Sequence, residues 1–404
     1  MNAPPLNSCW SIFLIFLRLG LTSFGGPVAH LSYFKDEFIE KRQWLSKNNY
    51  ADIVSLCQFL PGPASSQVGM ILGFSQQRYL GALAAWLGFT LPSAIALILF
   101  AYGLNSQSHL ISPHILHGLK LVTVAIVAHA VWSMAKSFCA DMPRVLLMLG
   151  SACFLWALPS FLWGQIVVIL IAGIFGSFFF STKQLSPHAA LPIQLSHQFG
   201  FFWLALFLGL FGFLYLLAQF FPNQTIEMIN SFYKVGSLVF GGGHVVLPLL
   251  QTEVSSHAWI TNEAFLAGYG LTQAMPGPLF TFAAFIGAAT PSAQLPWLNG
   301  VVCLCAIFIP SFLLVVGVLP FWETLRTNQR AQAALVGINA AVVGILLSAL
   351  YQPVWLSGIL NITDFVLAMM AFLALIYWKL SSWIVVIATV FIYWALANIS
   401  LTLI

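Results

Sequence analysis

Two copies of one short pattern carry the chemistry in this sequence: Gln58-x-x-Pro61-Gly62-Pro63 and Gln273-x-x-Pro276-Gly277-Pro278. Both interrupt apolar stretches. Adjacent Pro and Gly end a helix by removing a donor and freeing the backbone. Two further breaks fall at Gly25-Gly26-Pro27 and Gly241-Gly242-Gly243. A helix that restarts after such a break presents unpaired N–H groups and positive partial charge, which suit an anion. Ser65 and Ser66 follow the first Pro-Gly-Pro and Thr281 follows the second, so hydroxyls can complete an oxyanion's hydrogen bonds. Gln58 and Gln273 approach the same tips from the other arm. The competing reading is that each Pro-Gly-Pro only kinks a helix for packing. The pairing of the two motifs, each preceded by Gln, weighs against it. The expected anion-binding set is Gly25, Gly26, Gln58, Pro61, Gly62, Pro63, Ser65, Ser66, Gly241, Gly242, Gln273, Pro276, Gly277, Pro278 and Thr281.

Three cations lie inside apolar runs: Arg18, Lys120 and Lys234. A charge within a membrane is costly and marks a functional site by default. Arg18 and Lys234 each precede their glycines by a few residues. They attract an anion or balance a neighbour, or else they snorkel to headgroups. His30 and His244 follow the glycines and are candidate proton carriers, or else satisfied structural groups. His109, His114 and His117 share a loop without a metal-site spacing and read as interfacial. Trp44 and Trp259 read as interface anchors, and Lys35–Lys47 with Asp36, Glu37 and Glu40 as an amphipathic surface helix. No nucleophile–base set, paired carboxylates, phosphate loop or metal motif occurs, so no enzyme activity, cofactor or metal is expected. The six cysteines lie mostly in apolar runs and form no disulfide framework.

Breaks of this kind need a lipid setting. The 404 residues are 60% hydrophobic and 6% charged, against about 25% charged in an ordinary soluble domain. That excludes a cytosolic enzyme, a nucleic-acid binder and a secreted module. No basic segment precedes the first apolar run, so no signal peptide is expected. Apolar runs near 79–104, 115–135, 145–159, 161–181, 199–221, 297–321, 333–351, 355–378 and 381–403 are helices of membrane-crossing type. The fold class is an all-α polytopic integral membrane protein.

The broken segments come in pairs. Phe24-Gly25-Gly26, Trp44 and the first Pro-Gly-Pro are answered by Phe240-Gly241-Gly242, Trp259 and the second. Leu91-Pro92-Ser93 is answered by Ile309-Pro310-Ser311, and the offset stays between 215 and 219. The expected units are a first repeat (1–138), additional helices and a connector (139–227), a second repeat (228–351) and C-terminal helices (352–404). Eleven of the fourteen Lys and Arg lie outside the apolar runs, and 235–325 holds none. The loop after the first glycine motif is basic and its counterpart is not; the loop after Leu91-Pro92-Ser93 reverses that pattern. The two halves therefore read as inverted. With the four short or broken segments as re-entrant hairpins, nine segments cross and the loop charges share the cytoplasmic side. The rival arrangement has thirteen spans.

The set FGGP, RQWL and Q-x-x-PGP, repeated as FGGG, W and Q-x-x-PGP, resembles the chromate ion transporter family in its long two-domain form. The resemblance covers roughly 10–137 and 228–351. It implies an inner-membrane protein that exports chromate, driven by an ion gradient, with sulfate as the natural look-alike. The residues themselves leave sulfate, another oxyanion or an anion channel open. Candidate partners are the oxyanion, the lipid bilayer, a coupling ion that can be a proton, and a second copy of the chain; no nucleic acid is expected.

Overall fold

The structure, a computed structural model, describes residues 8–106, 112–158, 163–180, 195–291 and 295–402. His109 and Lys183 lie outside the described residues. Every regular element among the described residues is helical. In chain order they are α1 (Cys9–Thr22), α2 (Gly26–Phe34), α3 (Lys47–Phe59), α4 (Ala64–Ser106), α5 (Pro113–Phe138), α6 (Met142–Ala157), α7 (Gly164–Phe179), α8 (His197–Phe220) and α9 (Gln224–Leu238). Then follow α10 (Val246–His257), α11 (Asn262–Ala274), α12 (Phe282–Ala289), α13 (Pro296–Val318), α14 (Trp322–Thr327), α15 (Gln329–Ala349), α16 (Leu356–Gly358), α17 (Ile362–Ile376) and α18 (Ser382–Thr402). Five helices are long and apolar enough to cross a membrane by length and composition. Large apolar side chains such as Phe178, Phe220 and Ile362 are exposed on the outside, a surface that suits lipid and not water. The chain is an all-α polytopic membrane protein.

The breaks fall where Gly and Pro stand. All six positive-φ glycines among the described residues sit in them: Gly25, Gly26, Gly62, Gly241, Gly242 and Gly277. The helix α4 is two arms, because Gln77 and Arg78 leave helical geometry between them. Gly73 and Gly81 face each other across that turn so closely that a Cβ on either would strike the other's carbonyl. The short α12 and long α13 form the matching hairpin. There a Cβ on Gly287 would meet the Asn299 carbonyl at 2.6 Å, and one on Gly300 the Ala284 carbonyl at 2.7 Å.

Two apolar cores flank the breaks. One gathers Phe16, Phe34, Phe38, Ile53 and Phe89 from the first half. The other gathers Phe232, Tyr269, Phe280, Phe282 and Phe285 from the second. The helix pairs that close each half exchange places: α6 and α7 pack on α15, while α17 and α18 pack on α5.

Two sequence expectations change. Trp44 and Trp259 are buried, the first against Phe38 and the second between Phe232 and His257. Their rings fill cores and do not sit at an interface. The stretch 35–47 is not one surface helix. A π turn spans Lys35–Lys41, Gln43 takes φ 52°, and α3 starts afresh behind Ser46.

Candidate functional site

Nine helix N-termini among the described residues are closed by side chains, while α7 behind Trp163 and α13 behind Leu295 have no such cap. Ser8, Ser46, Ser112, Asp141, Ser196, Asn223, Thr261, Asn328 and Asn361 all accept a backbone N–H of the helix they precede. Such a cap contributes about 1 kcal/mol. The N-termini that start at the breaks differ. Gly25 before α2, Gly242 before the turn Gly243–Val245 that leads into α10, and Pro278 before the turn Leu279–Thr281 that leads into α12 make no side-chain cap bond. The fourth start, α4, follows Pro63, which has no polar side-chain atom.

These four ends meet. A Cβ on Gly243 would touch Leu279 at 3.1 Å and Pro27 at 3.5 Å, which places three of them together. The fourth is tied in by backbone. The Gly62 N–H donates to the Val239 carbonyl (2.7 Å), and the Gly277 N–H donates to the Ser23 carbonyl (3.0 Å). Each Pro-Gly-Pro glycine thus binds the residue just before the Phe-Gly-Gly of the other half. The same reciprocity holds for the side chains nearby. The space a Gly62 Cβ would need is filled by Ser311 Oγ and by Gln67 Nε2 at 2.7 Å; at Gly277 it is Ser93 Oγ at 3.0 Å. Ser93 and Ser311 end the paired Leu-Pro-Ser and Ile-Pro-Ser motifs. Gly62 and Gly277 therefore use their N–H groups to lock the breaks together. The flexibility of these glycines serves that strap, with φ 118° and 97°.

His30 reinforces one side. Its Nε2 lies 3.1 Å from the Ser23 carbonyl and its Nδ1 3.3 Å from Ser65 Oγ. A carbonyl only accepts, so Nε2 carries the proton and Nδ1 accepts from the serine hydroxyl. His244 places Nδ1 3.2 Å from the Tyr269 hydroxyl.

Between the ends lies a small cavity lined by Gly25, Gly26, Gly277, His244, Gln273 and Ser382, with Thr272 adjoining. Its volume is about 20 Å³, room for roughly one water. Gly26 and Gly242 have open space where a Cβ would sit. Three hydroxyls buried around the breaks, those of Ser23, Ser66 and Ser311, have no hydrogen-bond partner in the protein. Donors of this kind, neutral and held on broken backbone, can stabilise a compact anion without a fixed countercharge.

The expected residues separate into those the fold gathers and those it does not. Gly25, Gly26, Gln273 and Gly277 line the cavity; Pro61, Pro63, Pro276 and Pro278 flank the two strap glycines and do not line it. Gly241 packs beside Met134 and Val342, and Thr281 bonds its own Pro278 carbonyl (2.7 Å). Gln58 is exposed, unlike Gln273. Lys234 pairs with Glu253 Oε1 (2.5 Å) and lies over Trp163 (5.6 Å). Arg18 is exposed and Lys120 half-buried on α5. Sequence reasoning missed Ser382, Thr272, Ser93 and Ser311. The two serines had a signal in the repeated Leu/Ile-Pro-Ser motif. Ser382 had none, because it arrives from the other end of the chain.

A family model described as "Chromate transporter" matches residues 10–177 and 226–394. Both matches run past 138 and 351, where motif spacing alone ends the repeats. Relatives include a chromate transport protein of Pseudomonas aeruginosa, 26% identical over 347 residues, covering 85% of this chain and 80% of that protein. A chromate transport protein of Cupriavidus metallidurans is 25% identical over 366 residues, covering 86% and 83%. An uncharacterized transporter of Methanocaldococcus jannaschii is 25% identical over 346 residues, covering 84% and 83%. No solved structure matches the chain.

Proposed function

We propose, since this chain belongs to the chromate transporter family, that it exports a tetrahedral oxyanion, chromate first, across the inner membrane by ion-coupled alternating access. The observation that carries this reading is the reciprocal strap. Gly62 to Val239 and Gly277 to Ser23 lock the breaks together, and three of the uncapped starts, at Gly25-Gly26, His244 and Leu279, line one cavity. Each helix start is equivalent to roughly half a positive charge, so three sum to about +1.5, more than a monoanion balances. Sulfate shares the shape and charge of chromate and is the competing cargo.

The cavity of about 20 Å³ is too small for a tetrahedral oxyanion. A closed centre of this size favours a carrier that opens to each side in turn over a continuous channel. The straps are the bonds that such opening must break or shift.

The proposed topology has nine crossings and four re-entrant hairpins, with two inverted repeats. An ion pair supports it. Arg326 Nη1 meets Asp52 Oδ1 at 3.1 Å, which brings the basic loop of one half beside that of the other. The positive-inside rule puts both in the cytoplasm. On this reading α8 is the single span that joins two inverted units.

The test is binding of labelled chromate to purified full-length protein. Saturable binding displaced by sulfate and not by chloride is expected. Equal displacement by chloride would overturn the dianion site.

A further inference from the structure

A second ionisable site lies away from the cavity, where the first turns of α5 and α17 meet α18. Asp364 is fully buried. Its Oδ2 accepts the Leu360 N–H (3.0 Å) and stands 3.1 Å from His117 Nε2. The approach of the ring is not aligned as a hydrogen bond, and Oδ1 has no partner in the protein. The ring of Tyr393 lies 4.8 Å from that of His117. Leu121, Leu367 and Ala368 close the surroundings with apolar surface. α5 itself also carries His114, Lys120, His129 and Lys136; of the elements packed on it, α18 carries Tyr393, α11 Glu263 and Tyr269, α15 Arg330, the turn Leu350–Trp355 Tyr351, and α16 none.

The bland reading is a capping box. Asn361 caps α17 by accepting the Asp364 N–H (2.9 Å), and Asp364 reaches back to Leu360. A cap explains Oδ2. It does not explain a histidine brought to the same oxygen in a fully buried place, nor an idle Oδ1. With one proton the pair is neutral overall. Without it a buried carboxylate stands uncompensated, which the apolar surroundings oppose. The neutral pair therefore ties α5 to α17.

The position of α5 is read at the cavity. Two residues after His117, the Leu119 carbonyl lies 2.6 Å from where a Cβ of Gly270 would be. Thr123 Oγ1 adds a bond to the Leu266 carbonyl (3.2 Å). Gly270 and Leu266 are on α11, which ends at the cavity residues Thr272 and Gln273. A shift of α5 thus moves α11 backbone one turn from the anion site. The pair occurs at one of the two related junctions only. At an offset of 219, Val336 answers His117 and Val145 answers Asp364.

We propose that His117 and Asp364 form the proton-binding site that couples this transporter to a pH gradient, acting on the cavity through α5 and α11. This rests on the transport reading above. Two measurements on full-length protein test it. The first is labelled chromate flux in vesicles, at equal pH and with an imposed pH gradient, for wild type, Asp364→Asn and His117→Gln. Asn keeps an acceptor for Leu360 and so keeps the cap. Both variants are expected to retain equal-pH exchange and lose the gradient's stimulation. Stimulation undiminished in both would overturn the proposal. The second is infrared difference spectroscopy after a pH jump, which reads proton binding with no substrate present. A carboxyl or imidazole band present in wild type and missing from both variants supports the site; unchanged bands refute it. If wild type moves no chromate yet shows the band, the transport reading fails and the proton site stands.

Discussion

Replacing Gly62 by Ala is the most direct perturbation of the strap. The glycine has φ 118°, a left-handed conformation that costs a residue with a Cβ about 1–3 kcal/mol. The new methyl would also press on Ser311 Oγ and on Gln67 Nε2 at 2.7 Å, and overpacking of this kind costs about 1–3 kcal/mol. The lower ends alone give about 2 kcal/mol, roughly a thirtyfold loss in the population of the strapped conformer. At Gly277 the contacts are milder, 3.0 Å to Ser93 Oγ and 3.1 Å to the Phe89 carbonyl, so backbone strain of about 1 kcal/mol dominates. At Gly26 nothing lies within 4 Å, and only strain remains. Chromate flux per inserted molecule should fall most for Gly62→Ala and less for Gly277→Ala and Gly26→Ala. Adding Ser311→Ala to Gly62→Ala removes the nearest obstruction and should restore part of the loss. The serine hydroxyl has no partner to lose, so the second change is itself mild. Wild-type flux in Gly62→Ala, or no recovery in the double variant, would refute the steric account.

Three further outcomes are expected. Single cysteines at Ser46 and Asn328, in a background without native Cys, should resist impermeant thiol reagents applied outside; ready labelling of either in intact cells would overturn the inverted orientation. Lys234→Gln leaves Glu253 without its cation; because the Lys234 side chain is itself 23% exposed, the loss is below the ~3–5 kcal/mol of a fully buried pair. Thermal unfolding should show it, with recovery in the double variant that adds Glu253→Gln, and equal melting of all three proteins would mean the pair contributes nothing. The third concerns Glu37, outside the spans. Burial pushes its carboxyl up, but Arg42 (2.8 Å) and Lys41 (3.4 Å) outweigh that and hold it below its ordinary value of 4.5. A lowered carboxylate contributes stability above its unfolded value that is lost as pH falls through the folded one. Melting temperature should therefore drop on acidification below that value, and less so in Glu37→Gln; identical pH profiles would contradict it.

What could be read from the residues follows from which groups act. Gly and Pro impose breaks whatever surrounds them, so all four break points and their pairing are visible in the chain. The straps are not, because Ser23 and Val239 act through their carbonyls and any residue type carries one. The exposed Gln58 and the buried Gln273 look alike in sequence; their difference lies in what packs over α3 and α11. The aromatic rings at 44 and 259 fit an interface or a core equally well by composition. The partner of Lys234 is nineteen residues on and across a break, where no helical spacing points to it. His117 and Asp364 are separated by most of the chain, and only the packing of α17 on α5 joins them.

The central claim is that this chain moves a tetrahedral dianion through a closed centre, coupled to an ion gradient. The measurement that bears on it most directly is flux of labelled chromate and labelled sulfate in inverted membrane vesicles, with and without an imposed pH gradient. The account predicts uptake of chromate into inverted vesicles, stimulated by the gradient, inhibited by sulfate and indifferent to chloride. Flux that runs only down the anion's own gradient, unaffected by pH and shared equally with chloride, would contradict it.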